Sequence, residues 1–218
     1  MQKLAYFCRK FTPIMETKTI LAACATAAAT LVLTGCSEGF STAEKEVINA
    51  GDGDIMRVLT IGNEADSLVL RRKAAPMTAE MLRTDDYATL RRRMLATVQD
   101  SLNTGVGIAA PQVGILRRII AVQRFDKPGE PFEFYINPEI VEYSAETAPG
   151  REGCLSIPGL YGTVKRAQQI SLRYRDEQFA EKTETISGFT AVIFQHEADH
   201  LDGVLYIDRT EGEPMQEK

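Results

Sequence analysis

The sequence predicts an α+β fold with antiparallel strands, on three observations. Between residues 117 and 187, four segments are rich in β-branched and aromatic residues and broken by Gly, Pro and Asp. Apolar residues recur at three- and four-residue spacing over about 85–102, before those segments, and a further helical stretch, 188–200, follows them. With 218 residues, 44% of them hydrophobic, the chain can bury one substantial core, so a single main domain is expected.

In chain order, Lys3, Arg9, Lys10 and Lys18 come first, then the apolar run "ILAACATAAATLVL", Ile20 to Leu33. A spanning helix wants ~20 apolar residues, so this run fits a secretory leader over residues 1–35 instead. "LTGCS" follows it and resembles a bacterial lipobox, which implies cleavage before Cys36 and a lipid on that thiol. Met15 is an alternative start, because "METKTI" onward already makes a compact leader. Residues 36–54, polar and glycine-containing after Cys36, read as a lipidated Cys and a flexible tether.

The folded part is expected over residues 55–210. "IMRVLTI" reads as a short strand or extended arm, with a helical turn near Ser67–Arg72. Asp85 is expected to cap a helix that puts Tyr87, Leu90, Met94, Leu95, Val98 and Leu102 on one face, before "NTG" stops it. Arg91, Arg92 and Arg93 read as its solvated face. "RRIIAVQ", "PFEFYINPEIVEYS", "QISLRYRD" and "EKTETIS" are the strands. "GFTAVIFQHEADH" is the last helix, ended by "LDG". A short strand-like "VLYID" and a charged tail, 211–218, complete the chain.

A net charge of -5 excludes the basic face of a nucleic-acid binder. Of four cysteines, Cys8 and Cys24 leave with the leader and Cys36 carries lipid, so Cys154 remains alone. A lone thiol in an exported protein needs a protected role such as metal ligation.

The chain's two histidines are His196 and His200, with Glu197 directly after the first. On a helix they lie one turn apart, ~6 Å along the axis, where two imidazoles can share one metal. The H-E-x-x-H arrangement supplies two ligands and a general base. A third ligand is needed. Glu211, Glu213 and Glu217 lie in a stretch without apolar periodicity, and the metzincin third-histidine position holds Tyr206 although Gly203 fits that spacing. Cys154, in "REGCLSIPG", is the remaining donor, and two His, one Cys and a water complete a coordination sphere. "GVGIAAPQVG" lacks the Gly-Lys-Ser/Thr of a P-loop and the third Gly of a dinucleotide-binding turn.

"GVGIAAPQ" (105–112), "EGCLS" (152–156) and "QHEADH" (195–200) resemble the three signature motifs of peptide deformylases, in the family's order, across residues 55–208. The resemblance implies antiparallel sheets around a central helix that carries the histidines. It also implies a ferrous-iron hydrolase releasing formate from N-formylmethionyl peptides. On that reading Cys154, His196 and His200 hold the metal, and Glu197 moves the proton of its water. The Gln112 amide and the Leu155 backbone N–H meet the developing oxyanion, and Glu152 braces the ligand loop by pairing with Arg166. Gly105 and Gly107 let substrate main chain lie close. Val106 between them pairs with that main chain and touches the methionine side chain. Phe189, Val192 and Ile193, within two turns before His196, are pocket candidates that core packing would equally explain.

The sequence departs from the family in two ways. Many members carry a longer C-terminal helix after the histidines, whereas here the sequence given runs only about ten residues past Asp208. The leader and Cys36 imply an enzyme anchored to a membrane of the cell envelope; without lipobox processing it would be cytoplasmic. On ligand chemistry Zn²⁺ or another divalent ion would also suit the site. Two other readings are an H-E-x-x-H metalloprotease and a non-catalytic peptide-binding lipoprotein on the same fold.

Overall fold

The computed structural model describes residues 39–101 and 104–216. The chain divides into Met1–Gly35 and Cys36–Lys218, and every described residue belongs to the second unit. The expected leader, Cys36 and Leu102 lie outside the described residues.

Among the described residues, four α-helices and eight strands build this unit. The helices are α1 (Thr42–Ile48), α2 (Glu64–Leu70), α3 (Asp85–Val98) and α4 (Gly188–Leu201). Strands β1 (Gly107–Ala109), β2 (Ile119–Gln123), β3 (Phe132–Tyr143), β6 (Gln169–Arg175) and β7 (Glu181–Ser187) form a sheet in the order β1-β2-β3-β6-β7. A second sheet has the order β4-β5-β8, from β4 (Thr147–Cys154), β5 (Ile157–Ala167) and β8 (Met215–Gln216). Every neighbouring pair is antiparallel.

Period-two alternation along β2 divides the core. Ile119 and Ala121 join α1 and α3 on one face of the larger sheet, while Ile120 and Val122 join α4 on the other. Such a strand is buried on both faces, which is why "IIAV" is continuously apolar. In β3, Asn137 adopts φ 50° and the register shifts between Ile136 and Glu139. Its amide donates to the Met77 carbonyl and its carbonyl accepts from the Met77 N–H, so a left-handed residue and a proline are accommodated at one bulge. A smaller core of Ile157, Val164, Leu205 and Tyr206 lies by the second sheet.

Several expectations change. Residues 40–48 do not form a free tether: Phe40 and Ile48 are buried in the main core, and Glu44 makes a bidentate ion pair with Arg117 at 2.6 and 2.9 Å. Thr84, not Asp85, caps α3, because its hydroxyl accepts the Tyr87 N–H; the helix ends at Val98. Arg93 is not solvated. It is buried and donates to the Ile48 carbonyl at the end of α1. "IMRVLTI" is an extended arm whose Leu59 and Ile61 N–H groups donate to the carbonyls of Gln112 and Ser156. "VLYID" is mostly a 3₁₀ turn, Tyr206–Asp208, and the tail includes β8, paired to Leu160 and Tyr161.

Candidate active site

Helix α4 carries its two histidines through the junction of the two sheets. It packs on β1, β2, β3, β5, β6 and β7, and is therefore buried nearly all round. Gln195 fixes its position. Its amide donates to the Ala167 carbonyl at 2.8 Å, and its oxygen accepts the Ala167 N–H at 3.1 Å, which ties α4 to β5.

The third donor arrives from the end of β4. Cys154 Sγ lies 3.2 Å from His200 Nε2, and the donor atoms of Cys154, His196 and His200 all fall within 4.8 Å of one another. A tetrahedral site with ordinary metal–sulfur and metal–nitrogen bonds separates S and N by ~3.5 Å. The set fits a divalent metal. His196 Nδ1 is 2.8 Å from Glu152 Oε2, so Nδ1 carries the proton and Nε2 keeps its lone pair for ligation.

Glu152 is itself held on two sides. Arg166 Nε and Nη2 donate to its two oxygens at 2.8 and 3.0 Å, and the third nitrogen, Nη1, reaches Asp199 at 2.6 Å. Asp199 also takes a bidentate pair from Arg209. Burial would raise the Glu152 carboxyl, but hydrogen bonds with His196 and Arg166 outweigh it and hold the group down at about 2. The Glu152–Arg166 pair is thus a buried bidentate brace, not an exposed surface pair.

Glu197 sits in the opposite electrostatic state. It is 4% exposed, one carboxylate oxygen has no partner, and burial pushes its carboxyl up to about 7. Its carboxylate lies against Gly107, where a Cβ would stand 2.5 Å from Oε1. Gly107 therefore leaves space for Glu197 as well as for a ligand.

Gln112 completes the group. Its side-chain carbonyl accepts the Ala109 N–H at 2.9 Å, which turns the amide nitrogen toward Cys154 Sγ at 3.5 Å and Ser156 Oγ at 3.4 Å. A cleft of about 510 Å³ opens over these atoms. Gly105–Gly107 and Leu155 line it, with Phe189, Val192 and Ile193 along α4. β1 and β4, each the edge strand of its sheet, both contribute to this cleft.

The model of a known family, polypeptide deformylase, matches residues 55–215, a span that holds all of these side chains. The chain belongs to the polypeptide deformylase family. Peptide deformylase of Leptospira biflexa is 38% identical over 162 residues, covering 71% of this chain and 87% of that protein. That of Caulobacter vibrioides is 40% identical over 156 residues, with the same coverages. Among solved structures, a class I type b peptide deformylase from Acinetobacter baumannii superposes with TM-score 0.64 at 38% identity, covering 71% of this chain and 98% of that one. The same enzyme has been solved with actinonin and with Met-Ala-Ser bound. The chain is therefore a peptide deformylase by family and an enzyme.

Cys154, His196 and His200 lie together, with Gln112, Leu155 and Glu197 among the residues that line the cleft. Ile193 is both core and cleft wall, whereas Phe189 is 57% exposed at the rim with its ring against Phe125. The Val106 carbonyl accepts the Gln123 N–H at 2.8 Å. Sequence reasoning missed Asp199, the buried Ser156, and the β5 wall of Ile157, Leu160 and Tyr161. The signal for that wall was the hairpin across "CLSIPGLYG", hidden by its two glycines and its proline.

Proposed function

We propose that this chain removes the formyl group from N-formylmethionyl peptides with Fe²⁺ as its metal, and does so as an exported enzyme anchored through lipid on Cys36. The observation that carries the chemistry is the pairing of the Cys154–His196–His200 donor set with a buried, half-unpartnered Glu197. A divalent ion bound there supplies a Lewis acid that acidifies water and polarises the formyl carbonyl.

The chain's own residues do the rest. An extended peptide can lie between the free edges of β1 and β4, adding main-chain hydrogen bonds to each. Val106, Val192, Ile193 and Phe189 offer the apolar wall for the methionine side chain. Gln112 Nε2 and the Leu155 N–H donate to the oxygen on which charge develops, each worth ~2.7–4 kcal/mol. Glu197, with its carboxyl near neutrality, accepts the water's proton and returns it to the departing amine nitrogen. Glu152 holds His196 in the ligating tautomer throughout. Met-Ala-Ser in the Acinetobacter relative is the deformylated form of such a peptide, which supports this substrate class.

The test is formate release from a formyl-methionyl peptide by anaerobically prepared, Fe²⁺-loaded protein, with the acetylated peptide as control. Formate from the first and no acetate from the second is expected. Internal peptide cleavage instead would favour a metalloprotease.

A further inference from the structure

Among the described residues, the cleft contains one cation that the chemistry above does not use. Arg151 lines the cleft on β4, three residues before Cys154, and among the described residues no other Lys or Arg lines it. It is exposed, and among the described residues it makes no ion pair; its guanidinium stacks 4.0 Å from the Tyr161 ring centroid.

The register explains how that stack is held. Gly153 pairs directly with Tyr161 across β4 and β5, and a Cβ at Gly153 would stand 2.7 Å from the Tyr161 ring. The missing side chain lets the ring lie flat across β4 toward Arg151, a diagonal neighbour on the same face. A guanidinium stacked by its face keeps its edge N–H groups directed outward, the geometry that receives a carboxylate in two parallel hydrogen bonds.

Its reach matches a short peptide. Three residues of strand span ~10 Å, so Arg151 stands about that far along β4 from the Cys154 ligand. An extended formyl-tripeptide places its terminal carboxylate ~10 Å from its formyl carbon.

We propose that Arg151, stacked on Tyr161, is a specificity-determining residue that binds a carboxylate at the third residue of the substrate. The cleft therefore favours short formylated peptides with a free C-terminus over the same sequence continued as a longer chain. This rests on the reading of the site as a deformylase and narrows it to a substrate class. An acidic side chain at the third residue presents the same chemistry, and the test separates the two sources.

The experiment measures kcat/KM of the intact Fe²⁺-loaded protein on three peptides: formyl-Met-Ala-Ser as free acid, its C-terminal amide, and formyl-Met-Ala-Glu amide. The free acid is expected to exceed the amide by about tenfold, chiefly through KM, with the preference shrinking as salt is raised. The Glu amide matching the free acid would assign the side chain as a second source; matching the plain amide, it would restrict the site to the C-terminus. Arg151→Gln should bring the acid-to-amide ratio to about one, and Arg151→Lys should keep part of the preference. Equal rates for acid and amide in the unaltered protein, or an unchanged ratio in Arg151→Gln, overturn the proposal. No formate from any peptide would overturn the deformylase reading itself.

Discussion

At the scale of single residues the site is governed by how Glu197 is enclosed. A carboxylate pushed up to about 7 by burial can take and return a proton near neutral pH, and its isosteric amide cannot. Glu197→Gln is expected to lower deformylation by ~10²–10⁴-fold with metal content and thermal midpoint unchanged. Retained turnover would remove Glu197 from the chemistry. Gly107 tests the enclosure: a methyl group there meets Glu197 Oε1 at 2.5 Å and must displace it. A displacement of about 1 Å can cost ~10²-fold in rate, so Gly107→Ala should lose kcat on that order while still binding metal. Metal analysis beside steady-state kinetics checks both halves of that outcome. The histidines and Cys154 were legible because few donors of their type exist in the chain. Arg93 was not. Its burial depends on the Ile48 carbonyl, so missing α1 made the arginine look like part of a solvated run.

At the scale of elements, legibility followed periodicity. β2, β3, β6, α3 and α4 each show enough apolar pattern to be read, because one or both faces meet the core, whereas β7 was read from its β-branched Thr and Ile residues. β4 and β5 were not read as strands. "TAPGREGC" and "IPGLYGTVKRA" are half-exposed and interrupted by Gly and Pro, and their sheet packs on only a small core. α1 is seven residues long, and Ile48 is its only buried side chain, too little signal against a polar background. That small helix nevertheless contributes a fully buried Ile48, so Ile48→Ala should cost roughly 2–5 kcal/mol, read as a lower urea midpoint. A free tether would show no change. The loop after β2 offers a pH signature. Hydrogen bonds from Arg124 hold the Asp126 carboxyl down to about 2 from an ordinary 3.8. A depressed folded-state pKa adds stability that is present above about 4 and lost as pH falls toward 2. Unfolding followed between pH 5 and 2 should show that increment in the unaltered protein and not in Asp126→Asn.

At the scale of the whole molecule, the packing of residues 40–48 changes what a lipid on Cys36 would do. Only Ser37, Glu38 and Gly39 separate that thiol from Phe40, which is 4% exposed in the main core. Four residue steps span at most ~14 Å fully extended, so the proposed anchor would hold the catalytic domain close to the bilayer surface, not on a long leash. The domain would then meet small peptides that diffuse along or across the envelope more readily than bulky ones, which agrees with a cleft that reads a nearby C-terminal carboxylate. The expected outcome is that protein made in its own cells fractionates with membranes and releases only with detergent, with lipid on Cys36 by mass spectrometry. Cys36→Ala should leave it uncleaved at the leader and without lipid. Inserting a flexible stretch of about 20 residues after Glu38 should keep the lipid but let a protease reach the new segment on intact vesicles, whereas the natural spacing should resist. Soluble, unmodified protein in the cytoplasm would sink the anchor, and equal protease access at both spacings would sink the short leash alone.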